Sequence, residues 1–388
     1  MGFVVDGTLY SEGIGNINST DIKEFNAGLK LSDFTVTDLT AADFSVANDY
    51  ADLDGDVAHP TTPFSMNPRT FEWRDRTDAL VSNYNQTLGC GSGLSLPLTL
   101  KITLPKVKVR SLYGDPNESS ETDLVKTYKI GTATGICFAK PNAMIVKPYE
   151  TWKNVSSWNW NLGSSVPDTA NGGGYDPAQF DPVNGFRANL ATKFPTTGFP
   201  GASFTLIMTS NASDYTFNSS SSSVTVDANG KVTINSYTWG VVTITATFKN
   251  DTSKVHTYTF NPTRIWVVPK GRMTYDYVGG ECGGDYYIPE RTDLTNSPWN
   301  TALAGAPISN NAYTRVVGGG VFNEWGYTAR ITYPDSQWAT GINSYHWYWT
   351  REEYSSTYPY RHFIVNSDTG LVSYEANAHN PWVVCLVR

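Results

Sequence analysis

Few side chains in this chain have a spacing that could support chemistry. Asp52, Asp54 and Asp56 in the string DLDGD alternate like the first half of a calcium loop, where carboxylates at every second position surround a hard cation. A loop of that kind closes with Glu at its twelfth position, but Pro63 stands there, so a polar turn is the expectation. Glu324 and Asp335 are the one carboxylate pair that could be proposed for glycoside hydrolysis, one acting as acid and the other as base or nucleophile. No Ser-His-Asp ordering, Gly-rich phosphate loop or HExxH helix accompanies them, and the five His are scattered. The expectation is therefore no enzyme, no catalytic residue, no bound metal and no cofactor. The rival reading is a secreted carbohydrate-binding or carbohydrate-hydrolysing protein whose aromatic cleft stacks sugar rings.

Recognition has better candidates. Trp325, Trp338, Tyr345, Trp347, Trp349, Tyr354, Tyr358 and Tyr360 crowd one stretch of the C-terminal third, and Trp and Tyr dominate interface hot spots. Several must belong to a core. Strand alternation places Tyr345, Trp347 and Trp349 on one face and His346 and Tyr348 on the other. The segment EEYSSTYPYRH, from Glu352 to His362, mixes aromatics with Pro and Ser and reads as an exposed loop. The binding set read from the sequence is thus Trp325, Trp338, Trp347, Tyr354, Tyr358 and Tyr360.

These residues must be positioned by β-structure. The charged fraction is 16% and the aromatic fraction 13%, with 33 Gly to make turns, a composition suited to half-buried pleated surfaces. At 388 residues the chain exceeds one ordinary core. A net charge of -8 with no basic stripe disfavours nucleic acid and anionic lipid as partners. No apolar run is long enough to span a bilayer as a helix, so membrane insertion of this segment is not expected. The start MGFVVDGTLY lacks the features of a secretory signal, and export would depend on sequence outside this chain.

From about Gly201 the chain alternates through FTLIM, SVTVDANGKVTIN, GVVTITATFKN and KVHTYTFNPTRIWVVP, each run bounded by turn residues, as antiparallel strands with one buried face do. Asn229-Gly230 marks a hairpin. Nearer the N-terminus, LTLKITLPKVKVRSL, YKIGTATGICFA and FTVTDLTAADFSV read as strands, with YGDPNESSETDL as a turn or loop. Between Ser156 and Asn184 the chain is rich in Gly, Pro, Asn and Trp, and Trp158 and Trp160 argue for an ordered connection rather than a flexible linker. Four cysteines allow three connectivities, and none has C-x-x-C spacing, so structural bridges in an oxidising compartment are the simpler reading. Sequential pairing, Cys90 with Cys137 and Cys282 with Cys385, is the expectation.

The segment VTVDANGKVTI followed by GVVTITATF resembles the bacterial Ig-like domains of type 2, through Val226, Asp227, Gly230, Val232, Thr233, Gly240, Thr243, Ile244, Thr245 and Ala246. The YGDPNES segment before ICFAKP resembles the adhesion-associated repeat of enterobacterial intimin-like proteins. CGGDYYIPERTDL from Cys282, YHWYWTREEY from Tyr345 and the terminal VVCLVR resemble, in that order, the motifs of bacterial C-type-lectin-like modules. Together they resemble the distal end of the intimin/invasin adhesins and their secreted relatives. That resemblance implies a mostly β, multidomain chain of tandem Ig-like sandwiches ending in an α+β C-type-lectin-like domain. The implied boundaries are 1–155 for an N-terminal β domain, 156–185 for the connection, 186–270 for the Ig-like spacer and 271–388 for the terminal module. It also implies an extracellular or cell-surface location and adhesion or its modulation, with a host-cell protein or glycan receptor as partner. A secreted relative would also dock on an outer-membrane β-barrel or another Ig-like surface protein. Strings that ligate calcium in sugar-binding lectins are replaced here by Asn323-Glu324-Trp325 and Asn380-Pro381-Trp382, which favours protein-binding members of that fold.

Overall fold

Strand Leu98–Val109 shows how the sequence pattern becomes architecture: Leu98, Leu100, Ile102 and Leu104 point into a core while Thr99, Lys101, Thr103 and Pro105 are half-buried. The computed structural model describes residues 1–51, 55–144, 175–297, 313–340 and 346–387. Asp52 and Asp54 of the acidic string, Trp158 and Trp160 of the Trp-rich connection, and Tyr345 lie outside the described residues. The chain divides into two compact units, residues 1–135 with 209–211, and residues 136–208 with 212–388.

In the first unit, Leu98–Val109 pairs antiparallel with Thr122–Gly131 and with Thr70–Arg74, and a second, three-stranded sheet is built on Gly2–Val5. Its core centres on Phe3, Trp73, Tyr128 and the leucines of the long strand. Tyr128 donates to the Met1 carbonyl at 2.6 Å, satisfying a phenol that is otherwise fully enclosed. FTVTDLTAADFSV does not form one strand. Only Thr35–Val36 is extended, followed by a 3-10 turn at Ala41–Asp43 and a helical turn at Val46–Asp49. Carboxylates and hydroxyls here bond the local backbone instead, with Asp43 accepting from the Thr40 amide at 2.7 Å and Asp49 from the Ser45 amide at 2.8 Å. Such short polar side chains compete with a sheet ladder.

The second unit opens with a β-sandwich. One sheet contains Ile136–Pro141, Ala202–Met208, Lys231–Ile234 and Val224–Val226 as consecutive neighbours, and the other contains Tyr215–Ser219, Val242–Phe248 and Val255–Phe260. Alternate residues Val242, Ile244 and Ala246 are buried between the sheets. The Asn229-Gly230 hairpin is present, with Val224, Thr225 and Val226 opposite Ile234, Thr233 and Val232. Its geometry is narrower than two residues of positive φ. Gly230 alone is left-handed, at +76°, and the Asp227 carboxylate accepts from the Asn229 and Lys231 amides at 2.9 Å each.

A six-stranded sheet follows, in the order Thr197–Gly198, Ile265–Arg272, Trp382–Val387, Trp347–Glu353, Arg361–Asn366, Val372–Ala376. The entering strand Ile265–Arg272 lies antiparallel to the terminal strand, with Val268 opposite Cys385. Helix Tyr275–Cys282 packs on this sheet and is joined to the terminal strand by the Cys282–Cys385 disulfide. Adjacent first and last strands, a bridged helix and a β-hairpin between them make this part C-type-lectin-like, and the chain as a whole is mostly β. Cys90 and Cys137 are also disulfide-bonded and no cysteine is free, as sequential pairing requires. Both faces of strand Trp347–Glu353 are covered at its middle, so Tyr348 and Trp349 are each fully buried although they point in opposite directions.

Candidate functional site

Helix Val321–Trp325 carries two residues from the sequence-derived candidates, and both are structural. Trp325 has 0% exposure; its ring lies 4.8 Å from Phe194 and 5.3 Å from Phe199, and its indole N–H donates to the Thr197 carbonyl at 3.1 Å. Glu324, also fully buried, is ringed by donors. Its carboxylate accepts from the amide and hydroxyl of Thr196, the amide and hydroxyl of Thr197, and the Gly318 amide, at 2.7 to 3.2 Å. Burial pushes this carboxyl above the usual range while those hydrogen bonds pull it down. Arg315 supplies the opposite charge nearby, held by the Ala143 carbonyl at 2.8 Å and the Glu324 carbonyl at 3.0 Å, with Phe180 under its guanidinium at 4.6 Å. Asp335 is exposed and makes no contact with this carboxylate. An enclosed Glu whose oxygens are occupied by five donors, beside an exposed Asp, is no acid/base pair for a water-accessible sugar.

Trp338 is likewise in the core, at 1% exposure, with Phe199 and Tyr348 edge-on to it at 5.3 and 5.1 Å. Neither it nor Trp325 presents a surface, because each fills the joint beneath the six-stranded sheet where the largest apolar side chains are needed. Trp347 is half-buried. Tyr354 is half-buried too, stacked on Tyr374 at 3.9 Å. Tyr358 and Tyr360 are exposed at 43% and 52%. Their loop is closed by the Tyr358 amide donating to the Ser355 carbonyl at 2.9 Å and the Arg361 amide donating to the Tyr358 carbonyl at 3.0 Å. The Arg361 guanidinium lies 5.4, 5.8 and 5.3 Å from the rings of Tyr358, Tyr360 and Tyr374. A cation among three aromatics immobilises the loop, so a partner would meet preset rings at low entropic cost.

Sequence reasoning missed other exposed aromatics. Tyr277 on helix Tyr275–Cys282 and Tyr286 just after it are 71% and 57% exposed, and Trp239 on the sandwich is 81% exposed. Tyr286 was hidden inside the CGGDYYIPERTDL motif, and the polar, Gly-containing surroundings of Trp239 and Tyr286 were the available signal.

On the same module Tyr275 stacks on His362 with centroids 3.4 Å apart, and the imidazole Nδ1 meets the Asn377 side-chain oxygen at 2.8 Å. Burial holds His362 below the usual histidine value, against the opposing pull of Asn377, Glu353, Asp276 and Asp285. Because the folded state binds this proton less readily than the unfolded chain, the stability it contributes is full above the unfolded value of about 6.5 and is lost as pH falls through the lower folded value. Urea unfolding at a series of pH values should therefore show a shallower loss of stability on acidification in His362→Gln than in the parent. Equal slopes would show that another group carries the dependence.

Residues 178–260 match the family of invasin, domain 4. Invasin of Yersinia enterocolitica is 33% identical over 178 residues, which is 44% of this chain and 19% of that protein. The chain thus spans about one-fifth of the length of that relative. Among solved structures, that of invasin, described as a bacterial integrin-binding protein, covers 84% of this chain and 52% of its own at 18% identity and a TM-score of 0.43. An intimin mutant of EHEC O157:H7 covers 53% of this chain and 92% of its own at 20% identity and a TM-score of 0.35. The domain 4 match falls on the Ig-like sandwich and agrees with it, and over the matched residues the chain is similar to invasin.

Proposed function

We propose that this chain is the binding end of an extracellular bacterial adhesin, or of a secreted modulator of adhesion, and that it engages a host surface receptor through its C-terminal module. The observation that carries this reading is the preset, exposed Tyr358–Tyr360 loop on a module whose sequence context is invasin-like. Binding is expected to need no chemistry. The carboxylate that would serve hydrolysis is enclosed, and Trp325 and Trp338, which would line an aromatic cleft, are core residues. A surface protein of this kind would be presented outside the cell; among the described residues no helix is long and apolar enough to cross a membrane.

Beads coated with the chain should attach to cultured host cells, with integrin-bearing cells included because integrin is what the similar invasin is described as binding. Tyr358→Ala with Tyr360→Ala should weaken attachment by about 1–4 kcal/mol if the loop holds a hot spot. The melting temperature should stay within about a degree, since both rings are exposed. Normal attachment by the folded double variant would move recognition elsewhere, first to Tyr277 and Tyr286. A secreted modulator would instead be retained by an outer-membrane β-barrel or an Ig-like surface protein, which co-purification from bacterial envelopes would reveal.

A further inference from the structure

One face of the C-terminal sheet is only partly covered. Trp347, Trp349, Ile364 and Glu375 lie on it by register, and helix Tyr275–Cys282 closes the part over Trp349. Beside that helix, beneath the turn 376–381, remains a cavity of about 330 Å³ walled by Trp347 and Ile364 and rimmed by Arg272, Glu375, His379 and Asn380. That volume falls within the range of small-molecule sites.

The unmet hydrogen-bonding capacity around it is of two kinds. The Nε of Arg272 donates to the Asn380 carbonyl at 2.7 Å, which fixes the plane of the guanidinium, while its two terminal nitrogens have no partner among the described residues. A guanidinium held this way offers a fork that matches a carboxylate. Glu375 supplies the opposite. Its Oε1 is occupied by His379 Nδ1 at 2.7 Å and the Ala376 amide at 2.9 Å, leaving Oε2 as an acceptor. The Trp347 indole N–H, which has no partner among the described residues, and the Asn380 side-chain amide add further polar capacity. An acidic peptide side chain could satisfy Arg272, but it brings no hydroxyl to the free Oε2 of Glu375. A ring carrying both a carboxylate and hydroxyls satisfies both, with its apolar face against Trp347 and Ile364.

We propose that this cavity binds an acidic monosaccharide unit, the carboxylate on Arg272 and a ring hydroxyl on Glu375. The site is separate from the Tyr358–Tyr360 loop and does not depend on attachment through it. Saturation-transfer NMR and calorimetry on the whole chain, with 3′-sialyllactose, glucuronate and lactose as probes, test it directly. Acidic sugars should bind at least tenfold more tightly than lactose and lose affinity in high salt. Arg272→Gln should raise their Kd at least tenfold, and Asn380→Ala, which keeps the backbone carbonyl that Arg272 uses, should weaken them severalfold. The double tyrosine variant should bind sugars normally, so failure of cell attachment and failure of this site are distinguishable. Equal binding of lactose and sialyllactose, an unchanged Kd in both single variants, or saturation by an aspartate-containing peptide with no sugar signal would each overturn the assignment.

Discussion

Glu324→Ala should destabilise the second unit by roughly 3–5 kcal/mol, the range for removing one member of a buried charged pair. Five protein donors aim at that carboxylate, four of them on the buried Thr196 and Thr197. Removing it strands the Thr196 and Thr197 groups and the Gly318 amide, and leaves the Arg315 guanidinium without its countercharge. Glu324→Gln is the sharper test. Its amide has nearly the same shape but only one oxygen, so its NH2 must face hydrogens on Thr196 or Thr197, at about 1–3 kcal/mol for each donor left unpaired. Glu324→Gln should therefore fall between the parent and Glu324→Ala in urea unfolding followed by tryptophan fluorescence. A Gln variant within about 0.5 kcal/mol of the parent would mean that the donors relax onto other acceptors, and the cluster would then be no more than polar filler. Because Thr196 and Thr197 precede the sandwich strand Ala202–Met208 while Glu324 lies in a helix of the C-terminal module, the same variant should also loosen the packing of one against the other. Proteolysis near residues 318–320 would report it.

That cluster was only half legible in the sequence. Alternation identified the strands around Val242–Phe248 and Leu98–Val109, since a period of two with one buried face leaves a direct trace in residue type. The Asp227–Gly230 turn was readable for a similar reason, because a left-handed backbone position needs Gly. Glu324 stands out in the sequence by its charge, yet nothing local distinguishes a catalytic carboxylate from one saturated by donors 127 and 128 residues away. The same limit explains the aromatics. Residue type alone separated Trp325 and Trp338 from solvent no better than it did Tyr358 and Tyr360, because a Trp suits a core joint and an interface equally well. What did separate them was neighbourhood: Ser355, Ser356 and Pro359 around the exposed tyrosines, against Val321 and Phe322 beside Trp325. Trp239, between Thr238 and Gly240, stands in surroundings of the first kind and is exposed.

Opening the Cys282–Cys385 bridge should cost the C-terminal module about 3–5 kcal/mol. The two cysteines are 103 residues apart, and closing a loop of about that length removes roughly 4.7 kcal/mol of chain entropy from the unfolded state. Their placement makes the loss local as well as global. The helix Tyr275–Cys282 reaches the sheet through Val278, which packs with Ile288, Trp349, Ile364 and Val383 in a small cluster that includes Cys385 itself. Without the bridge that cluster must hold the helix alone, and the far side of the helix carries the exposed Tyr277. Cys282→Ala with Cys385→Ala should lower the melting temperature by roughly 10 °C, at about 2–4 °C per kcal/mol for a unit of this size. Helix Tyr275–Cys282 should become the first site of proteolysis, while the sandwich hairpin Val224–Ile234 keeps its amide protection. The terminal strand, still paired with Ile265–Arg272 through Val268 and Cys385, should retain its register. If the double variant melts within about 2 °C of the parent, strand pairing already closes the loop and the covalent bond adds little. Native protein with free thiols at both positions would weaken the case for an oxidising, extracellular setting and, with it, the adhesin reading.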